Sequence, residues 1–294
     1  MKSKIKSSNR ISEANLSIQI EDFIQSCFTA KRQPRYFYEN FCDLLIDFDC
    51  IYNPDFSYSS LIQLFCNLLY DYQSNLDHPQ DLLKSLKHKS FDDWQQYFKK
   101  MKVKHLNERR QHRYNESLNA EKLDIRLDEL TDAYQALLVV SIELSYKQNV
   151  NIQRVSDDLH DLRRKINRSK YGDEVLLLVW ALEQGSKSKG YHCHIVLIFD
   201  ERNRTGAWKI ADDIGELWEG ATDGEGCYFN CHDRRYLKGY EKKGMVGIGV
   251  IYSNVSYQVK QMRTVLSYLA RPDKGQHLRV KTSKKMRTFD MSQF

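Results

Sequence analysis

The chain has 294 residues, 41% of them hydrophobic and 29% charged, with a formal net charge of +6. That balance describes a folded globular protein and excludes a disordered or fibrous one. No apolar run reaches the ~18 residues that span a bilayer, and no apolar core follows the basic start Met1-Lys2-Ser3-Lys4-Ile5-Lys6, so neither a membrane partner nor a signal peptide is expected.

Residues 1–12 are polar and are expected to form a disordered tail. Residues 13–128 are expected to be a helical region of unassigned role. Ile18, Ile20, Phe23, Ile24 and Phe28 make a helical stripe, as do Phe41, Leu44, Leu45 and Phe48. Asn53-Pro54 breaks the run, Ser57 to Leu69 reads as a buried helix, and Asp77-His78-Pro79 is a turn before a helix over Asp81 to Leu86. Ser90 is placed to cap a helix carrying Phe91, Trp94, Tyr97 and Phe98. All 13 glycines lie from Gly172 onward, and tight hairpins usually need glycine, so the first part should be helical. Charge is also segregated. Tyr38 to Asp77 holds seven acids and no Lys or Arg, Lys99 to Arg113 holds seven cations against one Glu, and Lys260 to the end holds nine cations against two Asp. Basic clusters of this kind suit phosphate, and they also suit a solvated helix face.

Near residue 135 the pattern changes. Leu137 to Tyr146 alternates as a half-buried strand. Ile152 to Ile166 is an amphipathic helix, Glu174 to Glu183 an apolar strand, and Tyr191 to Phe199 a third strand after a loop from Gln184 to Gly190. A helix follows from Trp208 to Trp218, then a looser region from Cys227, a strand over Gly247 to Tyr252, and a helix capped by Asn254 that runs to Arg271 before Pro272. The order β-α-β-β-α-β-α gives an α+β domain over 129–294, with a mainly antiparallel sheet flanked by helices.

Residues two apart on a strand share a face. His192 and His194 therefore project together, and paired imidazoles suit a divalent metal. On their own, two such histidines equally describe a surface pair. Glu183, at the end of the preceding strand, supplies a carboxylate if the hairpin register turns it to the same face; Glu143 on the first strand is the alternative. A mixed nitrogen and oxygen set leaves positions open for water and a phosphate oxygen. The last helix offers Tyr257 with Lys260, and Tyr268 with Arg271, each a tyrosine with a cation one turn on. The two tyrosines lie ~16 Å apart along the axis, so one metal cannot serve both. Cys227-x-x-x-Cys231-His232 lacks a matching second half, so it reads as buried thiols. The seven cysteines read as free thiols in the cytoplasm. Trp208, Trp218 and the N-terminal aromatics could stack bases, but at helical spacing they read as core.

The apolar strand ending in Glu183, the short loop, Gly190-Tyr191-His192-Cys193-His194 and its apolar tail resemble the HUH endonucleases, which are named for two histidines flanking a hydrophobic residue. Ser267-Tyr268-Leu269-Ala270-Arg271, followed by Leu278-Arg279-Val280-Lys281 and Arg287-Thr288-Phe289, is similar to the filamentous-phage (inovirus) gene-II-type replication initiators and the related YagK/YfjJ C-terminal-domain proteins of prophages. The resemblance covers roughly residues 130–290. It implies a rolling-circle initiator that nicks and rejoins single-stranded or origin DNA. His192, His194 and Glu183 would bind Mg²⁺ or Mn²⁺, and Tyr268 would attack the scissile phosphate. Lys187, Lys189, Lys260, Arg263, Lys274, Arg279 and Lys281 are the expected DNA contacts, and a host replication helicase is a candidate partner of the helical part. One position departs from the pattern: Arg271 stands where the family has Lys, with Lys274 as the nearby substitute. Arg keeps its charge but is a poor proton donor, so the alternative is a catalytically weakened DNA-binding regulator or a prophage remnant.

Overall fold

The computed structural model describes residues 11–185, 189–271 and 276–292. The helical part comprises α1 (Glu13–Thr29), α2 (Phe37–Ile51), the short strand β1 (Ser57–Tyr58), α3 (Ile62–Asp71), α4 (Pro79–Lys87) and α5 (Phe91–Lys99). Its core is aromatic. Phe37, Phe41, Phe48, Phe65, Trp94 and Phe98 are all buried, with Phe41 and Trp94 edge to face at 4.9 Å. Ser90 caps α5 in a reciprocal box with Asp93.

A single helix, α6 (Lys102–Ala133, 32 residues), carries the chain to the sheet. Then come β2 (Ala136–Tyr146), α7 (Ile152–Arg168), β3 (Val175–Gln184), β4 (Tyr191–Asp200), α8 (Ala207–Ala221), β5 (Gly226–Asn230), α9 (Arg234–Glu241), β6 (Gly249–Tyr252), α10 (Ser256–Ala270), β7 (Val280–Lys281) and β8 (Phe289–Ser292). The main sheet runs β5-β2-β4-β3-β8, with β6 pairing the other half of β2's outer edge, and every pairing is antiparallel. The fold is α+β, with a helical region ahead of an antiparallel sheet.

Both faces of the sheet are covered, which is why β3 and β4 are nearly continuous apolar runs. On one face Leu178, Trp180, Leu182, Cys193, Ile195 and Leu197 pack under α7 and α8. On the other, Leu177, Val179, Ala181, Val196 and Ile198 pack under α10 and the second half of α6, through Leu123, Leu127, Leu130, Met262 and Leu266.

The structure differs from the sequence expectations at several points. The stretch from Ser57 is not helical at its start: Ser57 and Tyr58 pair with Lys281 and Val280, and α3 begins at Ile62. Asn254 does not cap the last helix, because the turn places Val255 in the capping position with no side-chain bond. The looser region holds a strand, β5, and a helix, α9, whose cap Asp233 accepts from the amides of Arg235 and Tyr236. The boundary expected at residue 128 falls inside α6. Of the expected tail, Ser12 caps α1 through the Asn15 amide, and residues 1–10 lie outside the described residues.

A candidate metal centre on the sheet

Strand register decides the site. Glu183 stands opposite His192 across β3 and β4, and His194 stands opposite Ala181 there and Glu143 across β2. Directly opposed residues share a face, so Glu143, Glu183, His192 and His194 all project from one side. The two carboxylates that sequence reasoning set as alternatives are on that side together. Cys193, between the histidines, points into the opposite core, where burial pushes its thiol pKa up and keeps it inert.

Glu143, His192 and His194 each place a ligand atom within 4.8 Å of the others. Glu183 lies beneath them. Its Oε2 is 3.2 Å from His192 Nε2 and 3.6 Å from His194 Nε2, and its side chain is 0% exposed. Neither carboxylate oxygen has an aligned hydrogen-bond donor. Burial pushes this carboxyl's pKa up, but the two imidazoles outweigh it and hold it down at about 2, so it is an anion. A buried anion with no aligned donor is costly unless a cation meets it. Ligands at right angles around an ion ~2.2 Å away stand about 3 Å apart, near the 3.2 and 3.6 Å that separate Glu183 from the two imidazoles. The residues therefore fit a divalent metal by donor type, spacing and unsatisfied charge. Glu143 sits at the rim, and Lys189 Nζ lies 3.0 Å from its Oε1. Ala181 places only a methyl group beside His194, and Gly185 lies close enough to the His192 ring that an added Cβ would fall 3.3 Å from its Cε1.

α10 crosses this face. The Tyr268 ring lies edge-on to His194 with centroids 6.4 Å apart, and Tyr268 is 43% exposed. Arg271 ends the helix one turn on. Tyr257, at the helix start, gives its hydroxyl to the Gly244 carbonyl in the turn before β6. The structure thus brings Tyr268 to the histidines and leaves Tyr257, with Lys260, at the far end.

The expected DNA contacts are dispersed. Arg263 is held by Asp128 and lies 3.7 Å from Asp124 on α6. Arg279 is bound to Glu21 of α1 at 2.8 Å. Lys281 lies on β7, where burial pushes its ammonium pKa down, and it lines a cavity of about 580 Å³ between α6 and the C-terminal segment. Lys189 pairs with Glu143, and Lys260 is exposed on α10. Lys187 and Lys274 lie outside the described residues. His232 accepts from the Ser141 amide at 3.0 Å, so its ring is committed to the backbone. Trp218 is core, whereas Trp208 is half exposed. Sequence reasoning passed over Phe229, Tyr236 and Tyr240, although Arg234-Arg235-Tyr236 and Lys238-Gly239-Tyr240 interleave aromatic and basic residues and signal a surface of their own.

Comparison with known protein families, curated proteins and solved structures finds no match to this chain. Among the described residues, no helix is long and apolar enough to cross a membrane.

Proposed function

We propose that this protein nicks and rejoins single-stranded DNA through a phosphotyrosine link, as a rolling-circle initiator at a phage or prophage origin. The observation that carries this reading is the convergence of Glu183, His192 and His194 on one sheet face with the Tyr268 ring against His194. The HUH resemblance of the same residues supports it.

In this reading Glu183, His192, His194 and Glu143 hold Mg²⁺ or Mn²⁺. An ion held there would supply Lewis acidity to the scissile phosphate. The Tyr268 hydroxyl loses its proton to solvent and its oxygen attacks phosphorus. The P–O3′ bond breaks, the electron pair leaves on the 3′ oxygen, and that oxygen takes a proton from water. The 5′ phosphate stays on Tyr268, and attack by a 3′ hydroxyl reverses the step and rejoins the strand. Arg271, one turn from Tyr268, offsets charge on the phosphate but is not the proton donor.

The test is a denaturing gel of single-stranded DNA from the gene's own locus, incubated with protein and Mn²⁺. Wild type should leave protein on the new 5′ end. Tyr268→Phe should lose that adduct by at least about 1,000-fold while its thermal melt is unchanged, because the ring is half exposed. Tyr257→Phe should keep the adduct. An adduct that persists in Tyr268→Phe would overturn the assignment. Arg271 in place of Lys favours a second reading, a regulator that binds DNA without cutting it. The same gel separates the two, since that protein retains DNA and forms no adduct.

A further inference from the structure

α9 buries none of its eight residues. A short helix without a fully buried residue leaves much of its side-chain surface open to a partner. Tyr236 and Tyr240 on this helix and Phe229 on β5 are 37%, 38% and 43% exposed. They form a continuous aromatic file: Phe229 and Tyr236 have centroids 4.9 Å apart at 78°, and Tyr236 and Tyr240 are 4.9 Å apart at 54°. Between Arg234 and Lys243 the chain places five Lys and Arg around this file against one Glu. Unlike Lys189, Arg263 and Arg279, none of these five is ion-paired among the described residues.

The file is aligned with the metal centre by sheet register. Phe229 stands opposite Glu143, Glu143 opposite His194, and His194 opposite Ala181. These four residues make one row across the strands on one face. With strands ~4.8 Å apart, Phe229 stands about 10 Å from His194.

We propose that Phe229, Tyr236 and Tyr240 are a stacking ledge for unpaired bases of single-stranded DNA, with the α9 cations holding its phosphates, and that the ledge feeds the strand along this row to the metal centre. Exposed rings stack on bases of any sequence, and unpaired cations release counterions from phosphate. A duplex hides its base faces and cannot use the rings. The direction toward the metal centre rests on the DNA-nicking reading; the ledge itself does not.

The experiment measures anisotropy of a labelled oligo-dT in EDTA with the full chain, so that no cleavage step enters. Wild type should bind the single strand tightly and the matching duplex at least about ten-fold more weakly. Tyr236→Ala and Tyr240→Ala should each weaken single-strand binding by roughly ten-fold, whereas Tyr236→Phe keeps the ring and the affinity. Because no α9 residue is fully buried, these variants should stay folded with melts close to wild type. Unchanged affinity in the Tyr236→Ala/Tyr240→Ala double variant overturns the ledge while leaving the nicking reading intact. Binding that depends on the rings, without any adduct in the cleavage gel, does the reverse. Equal affinity for duplex, or tighter capture by anionic lipid vesicles than by oligo-dT, also overturns the proposal.

Discussion

Glu183 holds the chemistry of the site in one side chain. Both oxygens are buried without an aligned donor beneath two imidazoles. Replacing it by Gln keeps the shape and removes the charge. Mn²⁺ affinity measured by calorimetry should fall by roughly 100-fold or more, since even residues outside the ligand set cost 10- to 100-fold. In EDTA near neutral pH, Glu183→Gln should melt below wild type, because it removes the carboxylate that the two imidazoles hold ionised in the folded chain. A variant that binds Mn²⁺ like wild type sinks the metal assignment. His192-x-His194 was legible from alternation on a strand, because period two needs no knowledge of neighbours. The choice between Glu183 and Glu143 was not, because it depends on register across two different strand pairs and the loop from Gln184 to Gly190 does not fix register. The structure places both on the face, with Glu143 grouped with the two histidines and Glu183 against their rings. The surroundings of the expected DNA contacts were not legible either: composition shows that Arg263 and Arg279 are basic, but only the fold shows Asp128 and Glu21 meeting them.

At the level of elements, α1 is tied to the hairpin that bears the site. Glu13 Oε1 accepts from the Ile152 amide at 2.7 Å and the Tyr191 hydroxyl at 2.8 Å. Gln184 Nε2 donates to the Ala14 carbonyl at 2.6 Å and to Ser17 Oγ at 2.7 Å. Gln184 and Tyr191 adjoin Glu183 and His192 in sequence but face the other way, so the hairpin grips α1 on one face and forms the metal centre on the other. Burial lifts the Glu13 carboxyl from 4.5 to about 7, against the two hydrogen bonds that lower it. The folded protein therefore binds a proton there more tightly than the unfolded chain. Its stabilising effect is full below pH ~4.5 and is lost as pH rises through about 7, by up to roughly 3 kcal/mol. A Gln at 13 keeps an oxygen for both donors and cannot ionise. In urea titrations Glu13→Gln should match wild type near pH 5 and exceed it at pH 8; a constant difference between the two pH values refutes the assignment. Elements with a strong stripe, such as α7 and the aromatic helices, were readable because one face is buried. α9 was missed although Tyr236, Leu237 and Tyr240 share a side, because the helix has only eight residues and none of them is fully buried, and β1, β7 and β8 were too short for any pattern.

The molecule as a whole is less divisible than its sequence suggests. Glycine and charge change sharply along the chain, and they marked a helical part and a sheet part correctly. The seam drawn at residue 128 falls in the second half of α6. The second half is core: Leu123 and Leu127 are 1% and 0% exposed, packed with Met262 and Leu266 over the metal-bearing face. The C-terminal segment returns to the helical part, where β7 pairs with β1, the Arg279 carbonyl accepts from the Ser59 amide at 2.8 Å, and the Arg279 guanidinium meets Glu21. Losing Leu123 and Leu127 alone removes roughly 4–10 kcal/mol, which is the order of a domain's entire stability. Residues 129–294 alone should therefore lack a cooperative melt. In the full chain, helical ellipticity at 222 nm and the near-ultraviolet signal of Trp180 and Trp218 should be lost at one temperature, because the two parts share hydrogen bonds and a helix. A folded 129–294 fragment, or two well-separated transitions, would show that the helical part is an appendage. If the parts melt together, the helical region is part of what holds Gln184 and Tyr191 in place, and mutations in α1 should lower Mn²⁺ affinity without touching a ligand.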